Sequence, residues 1–257
     1  MMIGANSLRS QTSCLEPQAG LDRFYSYLQS FSQGAEAGQI GHYPGLTSRA
    51  FHDPDCFSAV RALENGYDEV RSELLALGCQ AFHSEMERVG RTGSWEVLHL
   101  FERGRKNDEN CGLCPSTVRL IESHSTVRTV AGLAYVSKMA PGTHVAAHCG
   151  PTNLRLRCHL GIQVPQGDCA IRVEREISGW HEGKCIVFDD SLEHESWNHT
   201  AETRIVLIVD LWHPDLTPEE IALLQGLHNY SSAQAESLTR YWIANTRARN
   251  ARRVNYD

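Results

Sequence analysis

Between Trp95 and Trp212 the chain alternates short β-rich runs with clusters of glycine, proline, asparagine and aspartate. The runs are WEVLHLF, TVRLIES, TVAGLAYVSKM, LRLRCHLGIQV, CAIRVE, KCIVF and TRIVLIVDLW. Several short strands with turn residues between them favour an antiparallel sandwich or barrel over a parallel α/β sheet. This part of the chain therefore predicts a mainly β fold.

Helices are predicted on both sides of the β-rich region. The segment CFSAVRALENGYDEVRSELLALG has apolar residues at steps of three and four, which indicates an amphipathic helix or a broken pair ending at Gly78. A second helical piece is predicted over Gln80–Val89. After Pro214, TPEEIALLQGL has the pattern of a capped helix, with Thr217 as N-cap and Glu220 completing a capping box.

We find no internal repeat and no linker, so one main domain is the simplest division of the chain. Residues 1–40 are predicted to form a loose lead-in with one short helix around Leu21–Phe31. The domain is expected to span 41–222, with helices within 53–90 and the barrel at about 95–213. A helical extension and a basic tail are expected over 223–257.

Charge and cysteine content narrow the range of functions. The formal net charge is −7, so no general positive field exists to attract nucleic acid or an anionic membrane. We find neither a secretory signal nor an apolar run of about 18 residues, which favours a cytoplasmic protein. Nine cysteines are then expected to be reduced thiols. Cys111 and Cys114 have zinc or redox spacing, but they lack a second pair and are interpreted as ordinary loop cysteines, with a disulfide as a minor alternative.

The run LRLRCHLGI carries the first chemical signal. In a strand, Leu154, Leu156, Cys158 and Leu160 share one face, while Arg155, Arg157, His159 and Gly161 share the other. The polar face has two explanations. It could face solvent, which is common, or it could line a polar lumen that binds an anion, because arginine offers a bidentate fork to carboxylates. A histidine-containing turn just before the strand favours the lumen.

Two histidines frame this region and indicate a metal. His148 lies in that turn, and His194 follows the apolar strand KCIVF. Two imidazoles with a carboxylate and open positions select non-haem Fe(II). Arg204 lies on a late strand, where it can meet a carboxylate. However, Gly150 stands where an iron site usually has an acid, so the residues alone leave open whether a metal binds.

Longer motifs resemble one known family. The segments YPGL, GRKNDENC, PGTHVAAHCGPTNLRLRCHLG, FDDSLEHESW and RIVLIVDLWHPDLTPEE are similar, in the same order, to those of the aspartyl/asparaginyl β-hydroxylase family of 2-oxoglutarate-dependent oxygenases. The resemblance covers about residues 43–222. It implies a double-stranded β-helix, that is, a jelly-roll or cupin-like barrel with flanking helices.

The resemblance also implies an iron site. Fe(II) is expected on His148 and His194, and Gly150 is typical of this family, in which water fills the position of the missing acid. The nearby acids Asp189, Asp190 and Glu193 are weighed as a third ligand. Turn formation and hydrogen bonds that orient the site around the metal are the favoured roles for them.

The organic acids are assigned by the same resemblance. Arg157 and His159 are expected to contact the C1 end of 2-oxoglutarate beside the metal. Ser137 and Arg204 are expected to hold its distal carboxylate. Arg155 matches a position that binds the substrate carboxylate.

Departures from the family bear on the substrate. Tyr135 replaces a lysine of the family's substrate pocket, Ala146 replaces an aromatic residue, and Cys149 follows the first metal histidine. The membrane anchor and helical-repeat region of members that act on folded protein domains are not found. These departures favour a small amino-acid-like carboxylate over a protein.

The predicted reaction is hydroxylation of an unactivated carbon, the β-carbon, using O₂ and 2-oxoglutarate with release of succinate and CO₂. Cyclisation, desaturation or halogenation is the main alternative. Hydroxylation of Asp or Asn in a protein, and a non-catalytic barrel that only binds a ligand, are less favoured.

Overall fold

The computed structural model describes residues 21–24, 26–27, 41–85 and 91–229. The strands are β1 (Phe51–His52), β2 (His83–Ser84), β3 (Arg91–Thr92), β4 (Trp95–Glu102), β5 (Arg105–Lys106), β6 (Leu133–Met139), β7 (Thr143–His148), β8 (Arg155–Gln163), β9 (Cys169–Val173), β10 (Glu176–Gly179), β11 (Cys185–Phe188), β12 (His194–Asn198) and β13 (Arg204–Trp212). The helices are α1 (Ser58–Asn65), α2 (Tyr67–Leu75), α3 (Asp108–Leu113), α4 (Pro115–Glu122) and α5 (Pro218–Asn229).

The strands form two antiparallel sheets. The major sheet has the order β1-β11-β8-β13-β6-β4-β2, with β5 on β4, and the minor sheet has the order β10-β9-β12-β7-β3. Strands that are distant in sequence, such as β8 and β13, are direct neighbours. The predicted mainly β barrel with flanking helices is confirmed.

Two apolar layers explain why both faces of the major sheet are buried. Between the two sheets, Trp95, Phe188 and Val206 pack together with Val145 and Ile171. On the other face, a larger cluster joins the major sheet to α1, α2 and α4. A sheet covered on both sides has few positions for solvent-facing side chains. Polar residues on its inner face therefore line the lumen between the two sheets.

Strand β8 shows the effect most clearly. The residues of both its faces are buried as far as Ile162, including Arg155, Arg157 and His159, which are 3%, 8% and 6% exposed. Leu156, Cys158 and Leu160 pack toward the helices. The solvent-facing interpretation of the arginine face is therefore wrong, because the minor sheet and the loops around it cover that face.

Two local predictions are also wrong. The run TVRLIES forms most of helix α4, whose N-terminal N–H groups at Ser116 and Thr117 donate to the Glu73 carboxylate at 2.7 and 2.8 Å. This cap comes from α2, 43 residues earlier, so local sequence did not reveal it. The helix predicted over Gln80–Val89 is instead a 3-10 turn, Cys79–Ala81, followed by β2; residues 86–90 lie outside the described part of the chain.

The other helix predictions fare better. The long amphipathic segment is a broken pair, divided at Gly66. The capping box is present: Thr217 Oγ1 accepts from the Glu220 N–H at 3.2 Å, and Glu220 accepts from the Thr217 N–H at 2.9 Å. Residues 22–24 and 26–27 are helical, and the rest of the predicted short helix lies outside the described residues, as does the tail beyond 229. The domain limits stay a prediction.

Cys111 and Cys114, which are both free thiols, lie at a helix junction and not in a loop. Cys111 is on α3 and Cys114 precedes α4, and both are buried. Their thiols donate to the carbonyls of Leu100 and Asn110, and burial raises the pKa of Cys114 to about 12. Protonated, enclosed thiols are poor nucleophiles and poor metal ligands. Within the described residues, no helix is long and apolar enough to cross a membrane.

Candidate active site

The two predicted metal histidines meet at one end of the lumen. His148 ends β7 and His194 begins β12, and the two residues are paired in the antiparallel register of the minor sheet. Their ring centroids are 4.1 Å apart. Strand pairing thus brings together two residues that are far apart in sequence.

Backbone contacts fix the tautomer of both rings. The Nδ1 atom of His148 lies 2.8 Å from the Ala146 carbonyl, and that of His194 lies 2.9 Å from the Leu192 carbonyl. A carbonyl only accepts, so each Nδ1 carries the proton and each Nε2 keeps its lone pair. Burial lowers the pKa of both rings, which favours the neutral form that binds metals. The pair is therefore prepared to bind a cation through two Nε2 atoms.

Gly150 is fixed by its neighbour Asp190. The Gly150 N–H donates to the Asp190 carbonyl at 2.6 Å, and a Cβ at position 150 would lie 2.6 Å from Asp190 Oδ2. Such a contact is impossible without displacement of the aspartate. The position of the missing acid is thus occupied by a carboxylate from a different loop, and the sequence alone did not show this.

That carboxylate does not complete a three-ligand site here. Within the described part of the chain, no group of three or more His, Cys, Asp or Glu side chains is arranged to hold a metal. Asp189 accepts from both N–H and Oγ of Ser191 and shapes the turn. Asp190 faces the arginines of β8, with its Oδ1 buried and without a hydrogen-bond partner among the described residues. Its role in orienting the site around a metal stays a prediction.

The arginines of β8 form a four-residue ion cluster. Arg155 pairs with Asp210 at 2.8 Å and with Asp190 at 3.1 Å. Arg157 Nε donates to Asp210 at 3.0 Å, and its NH1 lies 3.4 Å from Asp190. Although burial lowers it, these carboxylates raise the pKa of Arg157 above its ordinary value. Both forks are held in place before any ligand arrives.

Arg204 presents the opposite situation. It is 2% exposed, and no carboxylate among the described residues lies within ion-pairing distance. Its NH1 contacts Ser137 Oγ at 3.3 Å, and that hydroxyl also accepts from Trp95 Nε1 at 3.0 Å. Burial lowers the pKa of Arg204 to about 10. A buried arginine without a counter-ion, beside a serine hydroxyl, is a ready site for a carboxylate.

His159 lies between these groups. Its Nδ1 accepts from Trp180 Nε1 at 3.2 Å, whereas its buried Nε2 has no partner in the described part of the chain. Burial, together with Arg204 and Arg157, lowers the pKa of His159 well below its ordinary value. A neutral ring with Nε2–H facing the lumen can donate one hydrogen bond to an anion.

Sequence reasoning missed three residues of this site. Asp210 and Trp95 lie within apolar strands, and Trp180 lies in the loop after β10. A signal for Asp210 was present, since one aspartate inside IVLIVDLW requires a buried partner. Nothing in the sequence indicated which residues Trp95 and Trp180 contact.

Comparison with known proteins decides the family. The description "Aspartyl/Asparaginyl beta-hydroxylase" belongs to the family profile that matches residues 64–214, more than half of the 257-residue chain. The chain belongs to the aspartyl/asparaginyl β-hydroxylase family. The predicted resemblance to this hydroxylase family is confirmed.

Two relatives show the range of this β-hydroxylase family. The chain is 42% identical over 165 residues to the aspartyl/asparaginyl beta-hydroxylase of Mus musculus, covering 63% of this chain and 22% of that protein. It is 31% identical over 214 residues to the ornithine lipid ester-linked acyl 2-hydroxylase of Rhizobium tropici, covering 79% and 73%. The chain thus spans about a fifth of the mouse protein, and the named activities of its relatives differ.

One solved structure aligns with part of this chain. An oxidoreductase of the 2OG-Fe(II) oxygenase family from Burkholderia pseudomallei aligns with a TM-score of 0.41 at 13% identity, covering 56% of this chain and 76% of that one.

Proposed function

We propose that this β-hydroxylase-family protein is an Fe(II)- and 2-oxoglutarate-dependent dioxygenase that hydroxylates the β-carbon of a small, amino-acid-like carboxylate. The observation that carries the proposal is the row of groups that begins at the adjacent rings of His148 and His194 and ends at the buried guanidinium of Arg204, which has no carboxylate partner among the described residues. A cytoplasmic location is part of the same proposal.

The donor set fits iron. Two neutral imidazoles with free Nε2 atoms, and no third protein ligand placed by the described residues, leave positions for a co-substrate and O₂. When bound, iron supplies the oxidising chemistry that converts O₂, 2-oxoglutarate and a C–H bond into an alcohol, succinate and CO₂. The contribution of the protein is to bind, orient and exclude water.

The lumen fits 2-oxoglutarate as a dicarboxylate. At one end, the His159 Nε2–H and the guanidinium of Arg157 are available as donors to a carboxylate. Ser137 and Arg204 are the donors at the other end. Ser137 Oγ already accepts two hydrogen bonds, so its own proton is available to donate to a carboxylate. Since these donors are oriented by Trp95, Trp180 and Asp210, little ordering is required on binding.

Charge supports an anionic substrate. Arg155, Arg157 and Arg204, set against Asp190 and Asp210, leave these five buried groups with one net positive charge. Divalent iron and the dianion of 2-oxoglutarate cancel each other. A substrate with one net negative charge then gives neutrality, which a buried site strongly favours. Arg155 is the fork best suited to that carboxylate, as the family resemblance implies.

The decisive test is succinate formation from 2-oxoglutarate with Fe(II), first alone and then with a panel of amino and carboxylic acids. We expect a small carboxylate to stimulate succinate release and to gain one oxygen atom by mass analysis. A peptide containing Asp and Asn, and an ornithine lipid, form two further arms of the panel. Stimulation confined to either of these arms would reject the small-molecule substrate, and no turnover or metal-dependent 2-oxoglutarate binding would reject the oxygenase.

Substitutions assign the residues. His148→Ala or His194→Ala should abolish iron-dependent turnover, and retained activity would show that the metal lies elsewhere. Arg155→Ala should reduce substrate-stimulated turnover far more than 2-oxoglutarate affinity measured by calorimetry. An equal loss of both would remove the substrate assignment.

Halogenation is a second candidate outcome, because no acid side chain can occupy position 150 while Asp190 stays in place. A chlorinated product that forms only when chloride is present would favour it over hydroxylation.

A further inference from the structure

We propose that Trp180 is a positioning residue that fixes His159 as an Nε2–H donor and supports the Arg204 guanidinium, so that one indole orients donors at both ends of the anion-binding lumen. The identity of the anion as 2-oxoglutarate rests on the proposed function above; the orientation of the two side chains does not.

The contact with His159 determines a tautomer. Trp180 Nε1 lies 3.2 Å from His159 Nδ1, and the two rings are nearly parallel, 14° apart in plane. An indole N–H can only donate, so Nδ1 must hold the lone pair and Nε2 must carry the proton. An imidazole in water would populate both tautomers; here the partner selects one.

The selected proton faces the lumen. His159 Nε2 is buried and finds no acceptor among the described residues. Phe188 packs edge-on against the same ring, with centroids 4.9 Å apart at 84°, and limits its rotation. A buried N–H without an acceptor raises the free energy of the folded protein. A carboxylate oxygen that accepts from it would remove this penalty.

The same indole lies against Arg204. The Cζ atom of Arg204 is 4.7 Å from the centroid of the Trp180 ring. A desolvated guanidinium above an indole face is held by a cation–π attraction, and tryptophan is the strongest ring for it. Because no carboxylate among the described residues neutralises Arg204, this contact helps to hold the guanidinium in place, together with contacts to Ser137 and to the Met139 sulfur.

A glycine of the sequence signature allows Trp180 to reach this position. The segment that follows Trp180 crosses β8 at Gly161, where a Cβ would lie 2.3 Å from the His181 carbonyl oxygen. The crossing is fixed by hydrogen bonds from Gly161 N–H to Lys184 O at 3.1 Å and from Gly183 N–H to Gly161 O at 3.0 Å. The glycine of HLG therefore admits the backbone that carries the indole.

A purely structural role is the competing explanation, since Trp180 is 3% exposed and belongs to the apolar layer between the sheets. The two explanations differ in one measurable property. Only a positioning role requires the His159 tautomer to depend on the indole N–H.

The test uses ¹⁵N-histidine-labelled, metal-free protein and compares wild type with Trp180→Phe by long-range ¹H–¹⁵N NMR. The His159 signals are assigned by their loss in His159→Gln. We expect Nε2–H alone in wild type, and a mixture or Nδ1–H in Trp180→Phe. The matched control is Trp197→Phe, whose indole donates to Asp168 on the surface of the protein and which should leave His159 unchanged.

Affinity provides the second readout. Calorimetry of 2-oxoglutarate with Zn²⁺-loaded protein should show about a tenfold weaker Kd for Trp180→Phe than for the control, the effect of one oriented hydrogen bond. An unchanged tautomer with unchanged affinity would overturn the proposal. A changed tautomer in a protein that never binds 2-oxoglutarate, in any variant, would overturn the proposed function and leave the tautomer assignment standing.

If Trp180→Phe fails to fold, benzothienylalanine at position 180 keeps the ring volume and removes only the N–H. A persistent Nε2–H tautomer in that protein would reject the proposal, and a shift toward Nδ1–H would support it.

Discussion

The lumen contains two kinds of buried arginine. Arg155 and Arg157 share the carboxylates of Asp190 and Asp210 within 3.4 Å, whereas Arg204 has a serine, a methionine and a tryptophan around it. The first pair is neutralised by the protein itself. Arg204 has no carboxylate counter-ion among the described residues. Similar burial thus has two consequences. The side chains of Arg155 and Arg157 are fixed by carboxylates, whereas the positive charge of Arg204 is not neutralised by a described residue.

The difference predicts opposite responses to mutation. Substitution of one member of the Arg155, Arg157, Asp190 and Asp210 cluster should lower the free energy of unfolding, because it leaves buried charges of the other members unpaired. Substitution of Arg204, which has no counter-ion among the described residues, should weaken ligand binding. It should leave the free energy of unfolding of the ligand-free protein unchanged or increase it.

The largest expected effect is that of Asp210→Ala. Since it leaves both arginines of β8 short of a buried carboxylate, we expect a loss of about 3–5 kcal/mol in the free energy of unfolding. Urea denaturation followed by circular dichroism measures it. Glu69→Ala, which removes an exposed partner of Arg119, is the control and should cost under about 1 kcal/mol. Equal effects of the two variants would show that the cluster is not mutually dependent.

Arg204→Met should reverse the pattern. The affinity for 2-oxoglutarate, measured by calorimetry with Zn²⁺, should fall about 100-fold, which corresponds to roughly 2.7 kcal/mol. The free energy of unfolding without ligand should stay the same or increase, because an uncompensated buried charge is removed. Arg119→Met on the exposed face of α4 serves as control. Strong destabilisation by Arg204→Met, with affinity retained, would remove the distinction between the two arginine types.

Gly150→Ala should give the smallest effect. Its Cβ would press on Asp190, which the arginines hold, so we expect a cost of about 1–3 kcal/mol in unfolding free energy. Gly112→Ala on α3 is the control, because nothing lies within 4 Å of its Cβ and the change should be neutral or stabilising. A neutral Gly150→Ala would show that Asp190 is free to move away from the arginines.

Local sequence was sufficient to predict features that depend on a repeating side-chain pattern or on contacts between residues close together in the chain. The alternation in LRLRCHLGI correctly separated the helix-packed residues from the arginine face, and the Thr217–Glu220 capping box formed as predicted. Helix α4 failed because its cap, Glu73, comes from another helix. Pairing between strands distant in sequence has no local signal, so Asp210 and Trp180 could not be assigned partners.

By itself, the sequence determined the family, the mainly β architecture and the histidines, arginines and serine that gather at the lumen, but not Asp210, Trp95 or Trp180. Those properties follow from side-chain periodicity and from motifs that are contiguous in the chain. Only the tertiary structure decided that Asp190 occupies the space beside Gly150, that Arg155 and Arg157 are neutralised while Arg204 is not, and that an indole selects the tautomer of His159. Each of these depends on burial and on distances between distant segments, since the electrostatic cost of a charge is set by what surrounds it.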